Sequence, residues 1–455
     1  MKSKYSAKQI AGFIIPSIIG ICIFMVPIQF DGTWTIAVKV IADYIGAALG
    51  DFLPVLCVII VTVSATLGVV SLGKPSFITS YPIMDEAFAT TPVWAIIRVI
   101  GAIFIWMVYL GVGADAEGSI LWMITEEGAG GFVLGDLLTV LVIIFFLAGL
   151  LLPLLLDFGL LEFIGALLTK LMRPLFKIPG RAAVDCITSW IGDGTLGVML
   201  TNNQYQDGYY SAREASIIST TFSAVSITFS IVVLAQVGLM EYFGPYYLLI
   251  CLIGVVCAII LPRVPPLSLK KDEYLVEGRA MPESLPEGYT GSVDYGISLA
   301  VKRVDEHKGI GQFLENGIKN AAGMWFGVLP VVMCIGTLAL VLSNNTPIFD
   351  YLGMPFLPLL ELLQVPEAAA ASKTMIVGFT DMFTPSIIAA EAIANPMTRF
   401  IVAVISVTQL IYLSEVGGLI LGSKIPVGLG ELFVLFLERT IISLLIAAPM
   451  AHLFF

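Results

Sequence analysis

The stretch "SWIGDGTLGVMLTNNQYQDGYYSARE" runs from Ser189 to Glu214 and is rich in Gly, Asn, Gln, Thr and Asp. It interrupts a chain of very different character. The 455 residues are 58% hydrophobic and 13% charged, with a mean hydropathy of +0.96. An ordinary soluble domain is about 45–50% apolar and about 25% charged. Several apolar runs reach eighteen residues or more, enough to cross roughly 30 Å of hydrocarbon. The composition therefore describes an all-α integral membrane protein. A net charge of −11 argues against a nucleic-acid partner, which selects a basic face.

Irregular polar backbone cannot face lipid, because its N–H and C=O groups would have no partners. It is tolerated where it lines a cavity, and paired Gly- or Pro-interrupted segments mark binding sites in secondary transporters. Two short helices meeting at "GDGTLG" form a re-entrant hairpin on this reading; a plain loop between two spans is the alternative. Hydropathy and the Lys/Arg bias of short loops predict about nine transmembrane helices. These cover 9–30, 53–73, 93–113, 131–152, 213–238, 244–262, 321–342, 396–414 and 429–453. Residues 34–50, 154–178 and 349–363 read as interfacial helices. "MKSKYSAK" places the N-terminus in the cytoplasm of a cell whose inner (plasma) membrane holds the chain. The first apolar run has no small-residue cleavage site and reads as a span rather than a signal peptide. The domain reading is 1–152 as scaffold helices, 153–262 as a first repeat, 263–310 as a cytoplasmic polar linker and 311–455 as a second repeat.

The second interrupted region is "SKTMIVGFTDMFTPSIIAAEAIANPMTRF", Ser372 to Phe400. Gly192 and Gly378 are 186 residues apart, as are Arg213 and Arg399, Thr188 and Thr374, Thr195 and Asp381, and Thr220 and Ser406. Each half shows a surface helix, an interrupted segment, a helix opening near an Arg, and a further helix. The predicted topology puts the two interrupted segments on opposite sides of the membrane, which makes an inverted repeat with two re-entrant hairpins.

The chain resembles membrane proteins of the nucleoside-recognition (Gate) domain family, YjiH-like proteins in particular, and more distantly the concentrative nucleoside transporters. "RAAVDCITSWIGDGTLGVML" with "SAREASIISTTFSAVSITFS", and the second region with "VISVTQLIYLSEVGGLILG", carry the resemblance. It covers roughly 150–262 and 321–455. It implies a hairpin–helix–helix unit used twice, a mobile transport domain and, for the nucleoside transporters, sodium coupling and a trimer. The first tip offers Asp193, Gly194 and Thr195 where those transporters carry a Gln-Thr-Glu tip.

The expected function is secondary active transport of a small polar organic solute by alternating access. A nucleoside-like solute comes first and an amino acid or other zwitterion second. Asp193 and Asp381 stand at the two tips, and carboxylates at membrane depth are costly and usually functional. Thr195, Asn202 and Asn203 supply neutral donors and acceptors. Thr380, Thr384 and Ser386 surround Pro385, which breaks a helix by removing a donor. Ser414 and Glu415, with Gln409, complete a polar pocket from the second half. Thr188, Ser189, Thr220 and Ser223 are the expected ion ligands, with Na+ or H+ as coupling ion and no other cofactor. The "STTFSAVSITFS" serines share one helical face, which suits either site lining or close helix packing. Glu438 and Arg439 are adjacent on a span, so each needs a partner on another helix.

A metal-ion permease is the competing reading, supported by Cys186 beside the first hairpin. One Cys with no His in either hairpin makes a poor soft-metal site. The six cysteines are scattered without a CxxC pair and read as small buried hydrophobes. A non-transporting membrane assembly partner is a third reading. No enzyme is expected: "GKPS" at 73–76 lacks the upstream Gly of a phosphate-binding loop, and neither His lies near a hairpin hydroxyl or thiol. The expected partners are the solute, the bilayer and further copies of the chain, as a dimer or trimer.

Overall fold

The computed structural model describes residues 5–24, 26–30, 33–192, 194–222, 225, 227–277, 289–307 and 309–455. Among them, seven helical stretches are long and apolar enough to cross a membrane. These are Ala7–Phe24, Phe52–Ser71, Pro92–Tyr109, Ile120–Leu156, Met240–Arg263, Ile310–Leu342 and Leu429–Phe454. The two other expected spans, 213–238 and 396–414, are interrupted helices rather than straight ones.

In chain order, α1 is Ala7–Phe24, followed by a short antiparallel ribbon of β1 (Pro27–Phe30) and β2 (Thr33–Ile36). Helix α2 is Ala37–Leu49, so the expected interfacial helix at 34–50 begins three residues late. β-branched and aromatic residues in "TWTI" favour extended backbone there. The outer helices α3 (Phe52–Ser71) and α4 (Pro92–Tyr109) show large apolar side chains to the surroundings, Ile59, Ile96 and Ile103 among them. A soluble protein would not expose such faces, whereas lipid matches them. Helix α5 (Thr139–Leu151) is the buried axis of this part. Amphipathic α6 (Leu160–Phe176) lies where the second interfacial helix was expected.

The quoted stretch folds as a hairpin. Its first arm is α7 (Ala182–Ile187), continued by a wide helical turn over Thr188–Gly192. Its second arm is α8 (Gly194–Gln206), buried from Gly194 through Tyr205. A polar run inside an apolar chain is thus among its most enclosed segments. At Gly197 the arms meet closely, because a Cβ there would lie 2.6 Å from the Ser189 Cβ. Then come α9 (Ala212–Ile217), a wide turn through Phe222, α10 (Ile227–Gln236) and α11 (Phe243–Ile260). A capping box on Ser211 and Glu214 starts α9: Ser211 Oγ accepts from the Glu214 amide, and Glu214 accepts from the Ser211 amide.

The polar segment after residue 263 contains helix α12 (Ser292–Glu306), which packs on α6 and α1. Arg303 at 3.0 Å and Asn316 at 2.8 Å both bond the buried Asp157. Helices α13 (Ile310–Gly327) and α14 (Leu329–Asn345) follow almost without a break. α13 lies against α5, where a Cβ on Gly149 would come within 2.6 Å of Ala321 backbone; small residues allow this approach. The second hairpin has arms α15 (Ala368–Val377) and α16 (Thr384–Ala392). Helix α17 (Pro396–Thr408) is buried along most of its length. An extended segment leads to α18 (Val416–Gly422), and α19 (Leu429–Phe454) closes the chain.

The 186-residue spacing reappears in the element boundaries. α7 and α15 start at 182 and 368; α8 and α16 end at 206 and 392. α10 and α18 end at 236 and 422; α11 and α19 start at 243 and 429. The packing is reciprocal too: α8 of the first repeat touches α18 of the second, and α10 touches α16. Reciprocal contact is what a two-fold relation between repeats requires.

Candidate functional site

A cavity of about 390 Å³ lies where the two repeats face each other. Gly194 and Thr195 of the first tip and Asp381, Met382 and Phe383 of the second line it. Val225 and Phe229 come from the first interrupted helix; Leu410, Tyr412, Ser414 and Glu415 come from the second. Lys39 of α2 and Asp136, just before α5, reach it from the scaffold side. Thr195 and Asp381, paired by the repeat spacing, therefore meet in one cavity. The rings of Phe229 and Phe383 touch edge to face across it, 5.9 Å between centroids.

The second tip is held by Asp381. Its Oδ1 accepts from the Phe383 amide (2.8 Å), the Thr384 amide (3.1 Å) and the Thr384 hydroxyl (3.2 Å). Its Oδ2 accepts from Ser414 Oγ at 3.1 Å. The carboxylate thus satisfies free amides at the start of α16 and bridges to the other break. The tip also pairs with the break through its backbone: Leu413 N donates to Phe379 O and Ser414 N to Thr380 O. Oδ2 keeps acceptor capacity toward the cavity.

Around that break, Leu410 adopts a left-handed conformation with φ of 65°, uncommon for a non-glycine residue. Tyr412 fixes it: its hydroxyl accepts from Leu410 N at 3.0 Å and donates to Ser406 O at 2.7 Å. Gln409 donates to Met375 O, at the end of α15, and to Thr440. Backbone conformations of this kind persist only where surrounding structure determines them, and they gather at binding sites.

Arg439 of α19 is 2% exposed and serves both breaks. Its Nε donates to Thr408 O at 2.9 Å, at the end of α17. Its Nη1 donates to Thr220 O (3.2 Å) and Thr221 O (3.1 Å), at the end of the first half of the other interrupted helix. A helix C-terminus carries about −0.5 charge and unpaired carbonyls. Two such ends match one guanidinium. The expected off-helix partner of Arg439 is thus a pair of helix ends.

The remaining predicted residues divide by position. Asn202 and Asn203 line a different cavity, of about 470 Å³, at the far end of α8. The Thr380 and Ser386 hydroxyls donate to Val377 O and Phe383 O, so they serve the tip backbone. The Thr188 and Thr220 hydroxyls donate to Val184 O and Ser216 O within their own helices. Thr188, Ser189 and Thr220 are buried but are not among the residues lining the central cavity. Asp193 and Ser223 lie outside the described residues. Sequence reasoning missed Lys39, Asp136, Leu410, Tyr412 and the double role of Arg439. Asp136 had a signal, a carboxylate inside an apolar run; Leu410 and Tyr412 had none.

The lining sets Lys39 against Asp136, Asp381 and Glu415, an excess of negative charge around hydroxyls and aromatic rings. This suits a neutral, hydroxyl-rich molecule or one accompanied by a cation. Among the described residues no group of three or more His, Cys, Asp and Glu is placed to hold a metal ion.

The family described as "Gate: Nucleoside recognition" matches residues 137–240, which span α5 through α10. An uncharacterized protein of Alkalihalophilus pseudofirmus is 43% identical over 445 residues, covering 97% of this chain and 94% of the relative. A solved structure of CNTnw, a doubly substituted variant in an outward-facing state, aligns at a TM-score of 0.41 and 14% identity over 97% of this chain and 99% of that one. The chain therefore belongs to one family with that relative, as a multi-pass membrane protein whose residues 137–240 match the nucleoside-recognition Gate model.

Proposed function

We propose that the chain is a secondary active transporter that moves a small polar organic solute across the inner membrane by alternating access. A nucleoside-like solute is the first choice, and an amino acid or other zwitterion the second. The observation that supports this is the meeting of two hairpin tips and two helix breaks around one polar-rimmed cavity. Its volume of about 390 Å³ falls within the range of small-molecule sites. The solute sits between Thr195 and Asp381, with its hydroxyl or amine groups on the free face of Asp381 and on Glu415. Aromatic contact comes from Phe229 and Phe383. The acidic lining favours a coupling cation, Na+ or H+. The N-terminus faces the cytoplasm, and the chain works as a homo-oligomer.

The metal-permease reading loses support from this cavity. Cys186 is buried at 7% exposure and is not among its lining residues. The test is thermal stability of the purified chain against nucleosides, nucleobases and amino acids, each in sodium and in potassium. A ligand present at about 100 times its dissociation constant adds roughly 2.7 kcal/mol to the folded state. Stabilisation by a nucleoside that is greater in sodium supports the proposal. Stabilisation by divalent transition metals alone overturns it.

A further inference from the structure

The second cavity, of about 470 Å³, is chemically unlike the first. Its lining brings Arg98 of α4 and Asn320 of α13 against Asn202 and Asn203 of α8 and Lys424, two residues beyond α18. Arg98 is 6% exposed. Its one hydrogen bond in the described structure is long, 3.4 Å from Nη1 to Ala87 O, and its buried Nε has no acceptor. The buried Nδ2 of Asn203 also lacks an acceptor. Lys424 makes no ion pair among the described residues; its backbone amide is held by Asn202 Oδ1 at 3.0 Å. No carboxylate is found among the lining residues described.

Two cations and several amide donors thus converge on one space without a counter-charge. A buried cation left unpaired costs several kcal/mol, and an ionisable group inside a membrane protein usually has a named partner. Among the described residues no such partner lines this cavity. The geometry points to a binding site for a phosphate-bearing anion in this cavity, held between the Arg98 guanidinium and the Lys424 ammonium, with Asn203 and Asn320 as neutral donors. Two positive groups suit a phosphate, which carries about one negative charge as a diester and nearly two as a monoester near neutral pH. Arginine also offers the planar fork that binds two phosphate oxygens. Arg98 belongs to the outer helix α4, whereas Asn203 and Lys424 belong to the repeats. A bound phosphate therefore bridges the two parts and holds them in the arrangement described. This site does not depend on the transport reading above.

The test uses the full-length chain, purified and depleted of lipid. In one arm, inorganic phosphate is titrated against chloride at constant ionic strength, with melting temperature and affinity as readouts. In the other, the chain is placed in nanodiscs of phosphatidylcholine with or without phosphatidylglycerol. Stabilisation by inorganic phosphate identifies a free phosphate compound as the source, and stabilisation by phosphatidylglycerol alone identifies a lipid headgroup. In the arm that responds, Arg98→Gln should weaken binding about 10-fold or more, because Arg98 is buried, whereas Lys424 is exposed and solvent-screened, so Lys424→Gln should weaken it about 3-fold. Lys424→Gln alters a loop beyond a helix end and keeps the fold if Arg98→Gln does not. No response in either arm, or unchanged affinity in Lys424→Gln, overturns the proposal.

Discussion

Replacing Arg439 with Met keeps the length and apolar stem of the side chain and removes its three hydrogen bonds to Thr220 O, Thr221 O and Thr408 O. Two numbers bound the effect. Side-chain hydrogen bonds inside membrane proteins average about 0.6 kcal/mol, which for three bonds gives roughly 2 kcal/mol. Bonds from a charged donor run about 1.5–3 kcal/mol each, but a shared donor is not additive, and a loss of about 5 kcal/mol is a reasonable ceiling. The lower bound assumes that the orphaned carbonyls find other partners. At 2% exposure for Arg439 there is little water to supply them, so the value should fall near 3–5 kcal/mol. The assay is thermal unfolding of the purified chain in detergent, followed by tryptophan fluorescence. Arg439→Met should melt about 6–20 °C below the parent, using roughly 2–4 °C per kcal/mol for large domains. Arg439→Lys should recover only part of the loss, because an ammonium is a point charge without the fork that reaches both breaks. If Arg439→Met melts within 1–2 °C of the parent, one guanidinium does not bind the two helix ends together.

Other substitutions probe the cavity itself. Asp381→Asn keeps the shape of the tip but replaces one carboxylate oxygen with a donor, so uptake into proteoliposomes should fall at least about 10-fold while the melting temperature moves little; normal uptake removes Asp381 from the site. Thr195→Ala should lower apparent solute affinity more than maximal rate, read from the concentration dependence of uptake. Tyr412→Phe removes the hydroxyl that serves Leu410 N and Ser406 O and should destabilise by about 1–2 kcal/mol, measured by the same melting assay. Gly197→Leu forces a side chain into the 2.6 Å contact with Ser189, and the yield of monodisperse protein on size exclusion should collapse.

Membrane character, the span positions and the two hairpins were legible because each rests on a strong local signal. Long apolar runs mark spans, and a polar run with Gly-Asp-Gly is incompatible with lipid. The repeat was legible from a handful of identities, and the same spacing reappears in four pairs of element boundaries. The breaks inside 213–238 and 396–414 were hidden by composition, since neither "STTFSAVSITFS", with its small hydroxyl residues, nor the apolar "VISVTQLIYLS" holds a Gly or Pro, and both read as continuous helix. What interrupts the second is tertiary: Tyr412 pins a left-handed Leu410, Gln409 is drawn to Met375 O, and the tip pairs with 413–414. The reach of Lys39 and Asp136 into the cavity depends on packing between elements distant in sequence, which no local pattern encodes. Asn202 and Asn203 read as companions of Thr195 by sequence proximity. Eight residues of helix from Thr195 to Asn203 instead carry the second about 12 Å away, into the other cavity.

That separation links the two cavities mechanically. Arm α8 presents Thr195 to the acidic central cavity and Asn202 and Asn203 to the basic one. It is buried along its length and packs against the wide turns on both sides of it and against α18. A buried, closely packed helix shifts as a body rather than bending by degrees. Any displacement of α8 toward the scaffold therefore alters both cavities at once. Arg439 extends the coupling, since one guanidinium holds the ends of both interrupted helices. Moving one break without the other would strand the carbonyls of the one left behind. The two repeats, including both hairpin tips, should therefore travel together against α3 and α4. On the transport and phosphate-site proposals above, an anion in the basic cavity, whose cations come from both of these parts, should oppose that movement.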